Sequence, residues 1–347
     1  MLRILLSKSG KVQGDKAPMR WPKVADSRWA RGHMGEVHKL LTEHGKQVLL
    51  RSEVDRRVLD AAAAYMAAEE GEIGFVYAGW AQASLPHRRL ADDAHWEIQT
   101  DRVSLIVQPG LRAIPGQSPV SVGVPYGSRA RLIILYLQTE AIRTGSREVE
   151  LGRSLHAWLK RLDIPIGGKS MKDVRDQAER ISRCRLTFQI STAGRSGLVN
   201  QNILDSAMFV ADDSAQGNLF IETAKLSEGF FEQLQKHPVP IEEAAVKQIA
   251  NNSMALDVYV WLSYRLHSLR EARPISWKAL HAQFGRGITR MDHFKQHFRE
   301  TLELALAVYP EADVSLDGTT GIILKPSRPP VPARVAPSRG ALRRLLT

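Results

Sequence analysis

The sequence predicts an α+β fold in which one unit, three helices followed by a β-hairpin, occurs twice. Two apolar runs with helical periodicity, Arg129–Ile142 and Ala255–Leu269, open the two units. Each run is followed by a short helix, a turn containing glycine and a basic helix, and then by residues that alternate in the manner of strands. This order is typical of a winged helix-turn-helix, in which the helix after the turn enters the DNA major groove.

The composition fits a globular protein with a polyanionic partner. The chain has 347 residues, 44% of them hydrophobic, and a formal net charge of +11. It has no apolar stretch long enough for a spanning helix and no secretory signal, so no membrane association is expected. Its one cysteine, Cys184, excludes an internal disulfide, and its apolar neighbours predict a core residue. These features indicate a cytoplasmic, DNA-bound protein.

Changes in composition divide the chain into five parts. The residue composition changes at Met34, and Met34 is therefore also a candidate start of translation. The predicted parts are a flexible basic arm (1–33), an N-terminal extension with helical and extended segments (34–124), winged-helix domain 1 (125–236), winged-helix domain 2 (237–326) and a proline-rich basic tail (327–347).

The extension is expected to contain one helix and two strands. The segment Lys46–Glu70 has residues typical of a helix, and Gly71 is expected to terminate that helix. Gly74–Trp80 and Val103–Gly110 are read as strands, and the proline- and glycine-rich segment Pro109–Pro125 as an irregular loop.

In the first unit, the helices Ser154–Ile164 and Gly167–Arg185 follow the opening run. The wing is predicted at Leu186–Ile190, with a turn at Thr192–Gly197. A second strand pair then crosses the turn Asp212–Gly217, and a helix capped by Ser227 closes the unit.

In the second unit, two prolines within His237–Ala244 mark the boundary, with a helix beginning near Ile241. Helices at Ser276–Gly285 and Thr289–Leu306 complete it, and the second wing is Ala312–Lys325, with a tight turn at Asp317–Gly318.

The basic helix of each unit separates a buried stripe from a polar face. Met171, Val174, Ala178 and Ile181 form the first stripe, and Met291, Phe294, Phe298 and Leu302 form the second. Arginine and glutamine can pair with base edges, whereas lysine more often neutralises phosphate. The predicted DNA-binding residues are Lys169, Ser170, Lys172, Arg175, Arg180, Arg183 and Arg195 in the first unit, and Arg286, Thr289, Arg290, His293, Gln296 and Arg299 in the second.

Replacement of Arg180 and Arg183 is therefore expected to weaken DNA binding. The alternative for each helix is an ordinary solvated face, and the acids Asp173, Asp176 and Glu179 make the first one mixed in charge. We expect the second unit to dominate base readout and the first to share DNA contact with dimerisation.

No catalytic, metal or cofactor site is predicted. Gly167–Ser170 resembles the end of a phosphate-binding loop but lacks the upstream glycine and the preceding strand. His293 and His297 are one helical turn apart without a metal-binding context. No histidine motif accompanies a tyrosine, which argues against a DNA-nicking enzyme.

Several segments resemble plasmid-encoded RepA replication initiators. These are GFVYAGWAQASLPHRRL (Gly74–Leu90), Val122–Leu155, DQAERISRCRLTF (Asp176–Phe188), NNSMALDVYVWLSYRLHSL, ISWKALHAQFG, RMDHFKQHF and LKPSRPPV, so the resemblance covers roughly residues 34–331.

The resemblance implies a non-enzymatic initiator of theta-type plasmid replication. Such proteins bind repeated double-stranded origin sequences called iterons, help to melt AT-rich DNA and recruit the host replication initiator and replicative helicase. Many also exist as a homodimer in equilibrium with monomer and repress their own gene. The alternative is a winged-helix transcriptional repressor without initiator activity, and a nicking or primase-like enzyme is a third hypothesis.

Overall fold

The computed structural model describes residues 36–332, apart from residues 53, 69–70, 101–102, 166, 193–194, 212–218 and 318. The predicted basic arm, the last fifteen residues of the tail, the turn at 212–217 and Gly318 lie outside the described residues. Within the described part, no helix combines the length and apolar character needed to cross a membrane. Helices and strands are mixed throughout, as the α+β prediction requires, whereas the division into five parts stays a prediction.

The N-terminal extension begins with three helices, α1 (Val37–His44), α2 (Lys46–Leu49) and α3 (Arg56–Met66). The single helix predicted from Lys46 is therefore interrupted. The interruption ends where the Asp55 carboxylate caps α3 by accepting a hydrogen bond from the Arg57 amide at 2.7 Å.

Short strands complete the extension. They are β1 (Ile73–Tyr77), β2 (Trp96–Gln99), β3 (Val103–Gln108), β4 (Leu111–Arg112) and β5 (Val120–Ser121). β1 runs into a 3₁₀ turn at Ala78–Ala81, and β4 and β5 form a small ribbon inside the predicted irregular loop.

The helices of the first unit are confirmed. They are α4 (Gly127–Thr144), α5 (Gly152–Arg161) and α6 (Gly168–Arg183), with strand β6 (Glu148–Glu150) between the first two. Four strands follow, β7 (Arg185–Thr192), β8 (Arg195–Asn202), β9 (Leu204–Ala211) and β10 (Leu219–Leu226), and then α7 (Glu228–Lys236). The Ser227 hydroxyl caps α7 as predicted, accepting a hydrogen bond from the Phe230 amide.

The strand predicted as the first wing has a different place. β7 and β8 belong to an antiparallel sheet in the order β2-β3-β7-β8, so they are bonded to the N-terminal extension. Buried Leu105 lies opposite buried Phe188, and Val107 lies opposite Leu186. The wing assignment was wrong because these apolar residues extend the core of the β2–β3 pair. The hairpin that accompanies the three helices is β9–β10, in a second sheet ordered β6-β10-β9.

The second unit begins with a strand where a breaking segment was predicted. β11 (Pro238–Glu242) pairs antiparallel with β1, with Pro240 opposite Phe75. A two-stranded sheet has outer edges where the missing N–H of proline costs no ladder bond.

The rest of this unit consists of helices and a three-stranded sheet. The elements are α8 (Glu243–Ile249), α9 (Ser253–Arg265), β12 (Arg273–Ser276), α10 (Trp277–Phe284), α11 (Met291–Leu306), β13 (Val314–Asp317) and β14 (Gly321–Leu324).

The two units share a strand order. The sheet β12-β14-β13 repeats the order of β6-β10-β9, because in each the strand between the first and second helix lies beside the last strand of the hairpin. β6 and β12 have only three and four residues, too short for an alternating pattern to reveal them.

Buried polar contacts join the two units. The Arg131 guanidinium on α4 contacts the Asp257 carboxylate on α9 through Nε–Oδ1 at 2.6 Å and Nη2–Oδ2 at 2.7 Å. The carboxylate of Glu243, on α8, accepts hydrogen bonds from Trp158 and Arg143 at 3.2 and 3.3 Å. The helix pairs therefore meet through directional contacts as well as apolar packing.

Cys184 lies in the core, as predicted. It is 1% exposed, and burial raises the pKa of its thiol to about 12, which leaves the thiol protonated and unreactive at neutral pH.

Candidate nucleic-acid interface

Helix α6 packs through the predicted stripe. Met171, Val174, Ala178 and Ile181 are all buried. This orientation leaves Lys169 and Lys172 exposed near the start of the helix. A helix N-terminus with two adjacent exposed ammonium groups favours phosphate.

Other predicted residues of α6 are partly enclosed. Ser170, Arg175 and Arg183 are half-buried. The Arg183 guanidinium donates to the Leu111 carbonyl at 3.1 Å, and its Nε lies 3.3 Å from a Glu179 carboxylate oxygen. The side chain of Arg195, at the start of β8, lies outside the described residues.

Arg180 is in the interior. Its side chain is 3% exposed, and it donates to the carboxylates of Asp176 and Asp92 at 2.9 and 3.2 Å. Its guanidinium also lies 5.3 Å from the centre of the Tyr126 ring, and Nη1 donates to the Val124 carbonyl. The prediction that Arg180 faces DNA was wrong, because the segments around residues 92 and 124–126 cover this side of α6.

Arg180→Met is consequently expected to lower the free energy of unfolding by about 1–3 kcal/mol, because two carboxylates lose a charged hydrogen-bond donor. The DNA affinity of the folded variant should equal that of the wild type. Lys172→Met is the matched control, expected to weaken DNA binding without changing stability. Denaturant unfolding and fluorescence anisotropy measure the two quantities, and a loss of affinity in folded Arg180→Met would restore Arg180 to the interface.

The second basic helix is positioned by a capped helix and a tight turn. The Ser276 hydroxyl caps α10 by accepting from the Ala279 amide, and His281 Nε2 lies 2.7 Å from the Ile288 carbonyl oxygen. Gly287 lies within the turn with φ +94°, a backbone region that favours glycine. α11 begins three residues after Ile288.

Most of the predicted stripe of α11 is buried. Phe294, Phe298 and Leu302 are fully enclosed, but Met291 is 36% exposed, contrary to prediction, because it lies in the first turn at the rim of the core.

Four predicted DNA-binding residues line one groove at the start of α11. Arg286, Thr289, Arg290 and His293 surround a cleft of about 430 Å³. Its opposite wall comes from the N-terminal extension, with Pro86, His87, Arg88, Leu90 and Trp96 among the lining residues. None of these wall residues was predicted to bind DNA. The two arginines at positions 88 and 89 showed that this segment is positively charged, but no feature of the sequence indicated that they lie near residue 286.

The rim of the groove is cationic. Arg88, Arg286 and Arg290 are exposed. The Arg286 guanidinium lies 5.4 Å from the Trp96 ring centre and 4.0 Å from a Glu97 oxygen. Arg290 pairs with Asp292 through Nε–Oδ1 at 3.1 Å and lowers the pKa of that carboxyl to about 2. Asp292 therefore stays ionised and offsets part of the charge of Arg290.

His87, in the wall of the groove, is neutral. Burial, aided by the positive charge of Arg131, holds the pKa of His87 well below its usual value. His87 is thus uncharged near pH 7, and its Nδ1 lies 3.0 Å from the Ser253 hydroxyl.

Two predicted residues lie farther along α11. Gln296 is exposed, and its amide donates to Glu300 at 3.2 Å. Arg299 is half-buried, with its guanidinium 5.2 Å from the Trp277 ring centre. Neither lines the groove. Gln296 can present its amide to a base edge, whereas Arg299 contributes packing against Trp277.

This arrangement can hold a phosphate backbone. Exposed guanidinium groups stand beside the N-terminus of a 16-residue helix, where the helix dipole favours negative charge. Among the described residues, no group of three or more histidine, cysteine, aspartate or glutamate side chains could hold a metal ion.

Comparison with known proteins gives one family match. Residues 124–279 match the family model described as plasmid encoded RepA protein. The match confirms, over that segment, the family resemblance found in the sequence. A comparison with curated protein sequences gives no significant match.

The solved structures that are similar to the chain include two of RctB. A selenomethionine crystal structure of domains 2 and 3 of RctB has a TM-score of 0.47 and 11% identity, covering 74% of this chain and 99% of that one. Another crystal structure of RctB domains 2–3 has a TM-score of 0.42 and 11% identity, covering 72% of this chain and 97% of that one.

Proposed function

We propose that this protein is a non-enzymatic plasmid replication initiator that binds repeated double-stranded origin sequences. The observation that carries the proposal is the match of residues 124–279 to the plasmid encoded RepA protein family. The net charge of +11 and the cationic groove beside α11 support a nucleic-acid partner.

Both repeated units are proposed to act as winged helices. In each, a helix follows a turn and is accompanied by a hairpin whose last strand pairs with the strand after the first helix. α11 would enter the major groove, with Gln296 and His293 toward base edges and Arg286 and Arg290 toward phosphates. Lys169 and Lys172 would anchor α6 on the backbone. In this form of the proposal, β9–β10 and β13–β14 are the wings.

The further roles of the protein follow from the same proposal. The protein would bind iterons, promote opening of AT-rich DNA and recruit the host initiator and replicative helicase in the bacterial cytoplasm. A monomer–homodimer equilibrium and repression of its own gene would regulate it. No cofactor is proposed. The second unit would dominate base readout, and the first would combine DNA contact with dimerisation.

Plasmid maintenance tests the proposal. A plasmid whose own origin is inactive in the host should replicate when it carries this gene and the DNA flanking it. It should fail when the gene encodes the Arg286→Ala/Arg290→Ala variant at equal protein level. A repressor without initiator activity would instead leave the plasmid unreplicated in both cases while reducing transcription from the promoter of the gene.

A further inference from the structure

We infer that the loop Leu85–Leu90 is part of the DNA interface and that Arg131 is the positioning residue that holds it there. The inference rests on the proposed function. It gives a role to a segment of the N-terminal extension for which the sequence suggested none.

The loop presents one exposed arginine to the groove. Leu85 and Pro86 are buried, so the loop is anchored at its start. Arg89 is exposed and paired with Asp92 at 2.9 Å. Arg88 is exposed, lines the groove, and has no hydrogen bond or ion pair to the residues that the structure describes. Arg88 is therefore a third guanidinium available to a phosphate, beside Arg286 and Arg290.

Arg131 determines where the loop lies. Its Nη2 donates to the Leu85 carbonyl at 2.7 Å, and its Nη1 donates to the carbonyls of Pro86 and Gly127 at 3.2 and 2.9 Å. The Gly127 amide in turn donates to the Pro86 carbonyl at 2.9 Å. The start of α4 and the first two residues of the loop are thus fixed to one guanidinium.

Asp257 fixes the guanidinium itself. The paired contacts from Arg131 orient its plane, and the two side chains are only 9% and 11% exposed. A simple structural ion pair would satisfy the carboxylate and leave the other donors to water. Here the remaining donors all meet backbone carbonyls near the loop. The arrangement transmits the position of α9, in the second unit, to a loop of the extension that faces α11.

His87 adds a second contact between the loop and the second unit. Its Nδ1 lies 3.0 Å from the Ser253 hydroxyl, at the start of α9. The loop is therefore linked to the second unit at two places, both just before Arg88: Arg131 joins Leu85 and Pro86 to Asp257, and His87 contacts Ser253 directly.

Coupling between Arg88 and the ion pair tests the inference. Four full-length proteins are compared for binding to origin DNA at several salt concentrations. These are the wild type, Arg88→Ala, Arg131→Met/Asp257→Leu and the triple variant. Arg88→Ala should weaken binding several-fold and reduce the slope of log K against log salt by about 0.9, the value for one phosphate contact. Arg89→Ala, which removes a paired arginine from the same loop, should change the slope less.

The triple variant should bind as the Arg131→Met/Asp257→Leu variant does, since the loop no longer presents Arg88. An undiminished effect of Arg88→Ala in that background would overturn the role of Arg131. Arg131→Lys supplies the same comparison if the double variant does not fold, because lysine can pair with Asp257 but lacks the donors for all three carbonyls.

The outcomes separate this inference from the proposed function. If Arg286→Ala/Arg290→Ala weakens DNA binding and Arg88→Ala does not, the loop is outside the interface while the proposed function stands. If the wild type binds no DNA, the proposed function itself fails.

Discussion

Arg131→Met is expected to lower the free energy of unfolding by about 3–5 kcal/mol, because it removes one partner of a buried ion pair. The substitution leaves the buried carboxylate of Asp257 without the guanidinium that donates to both of its oxygens. It also removes the hydrogen bonds that the guanidinium donates to the backbone carbonyls of residues 85, 86 and 127. Urea denaturation of the two purified proteins measures the difference.

The controls distinguish a buried pair from an exposed one. Arg56 lies 3.6 Å from Asp60, and its side chain is 81% exposed, so Arg56→Met should cost at most about 1 kcal/mol. Adding Asp257→Leu to Arg131→Met should recover the part of the loss that comes from the unpaired buried charge, because an apolar pair leaves no such charge. A loss for Arg131→Met no larger than that for Arg56→Met would contradict the structural role given to this pair.

Arg286→Ala/Arg290→Ala should weaken binding to double-stranded DNA by about a hundredfold. A charged hydrogen bond contributes at least about 1.5 kcal/mol, which is roughly tenfold in affinity for each arginine. The slope of log K against log salt should fall by about 1.8, since two phosphate contacts are lost. The change should be uniform across DNA sequences, because phosphate contacts carry no base information.

A matched variant removes the same charge elsewhere. Lys39→Ala/Arg56→Ala takes two positive charges from exposed positions on α1 and α3. These helices pack toward the C-terminal half of α11, as the Arg57–Glu300 and His38–Ala307 contacts indicate, and neither Lys39 nor Arg56 lines the groove. The control should bind DNA nearly as the wild type does. Equal losses in both variants would mean that net charge, and not the groove, determines affinity.

The helices could be predicted because each carries its own signal. The stripe Met171–Ile181 and the core phenylalanines Phe294 and Phe298 recur at helical spacing, and the structure buries them. The cap that Ser227 forms at the start of α7 could also be predicted, because capping depends on neighbouring residues alone.

Strand pairing could not be predicted in the same way. β7 has the pattern of a half-buried strand, but the pattern does not say whether the strand pairs with β3 or forms a wing. β1 and β11 pair although the whole of the first unit lies between them in the chain, and the prolines in β11 suggested a break. These contacts depend on distant residues whose pairing no local period encodes.

Only part of the candidate site could be predicted from the sequence, for a related reason. The residues from 286 to 293 are close in sequence and were found together, whereas Arg88 reaches the same groove from the N-terminal extension. Arg180 shows the opposite error. Its place on the helical wheel suggested an exposed face, yet Asp92 and Tyr126 arrive from elsewhere in the chain to bury it.

A footprint of the protein on the double-stranded DNA flanking its gene tests whether it initiates replication at repeated origin sites. We expect two or more directly repeated protected segments beside an AT-rich region, with protection lost in Arg286→Ala/Arg290→Ala and retained in Lys39→Ala/Arg56→Ala. Absence of protection, or a single protected operator over the promoter, would contradict the claim that this protein initiates replication at repeated origin sites.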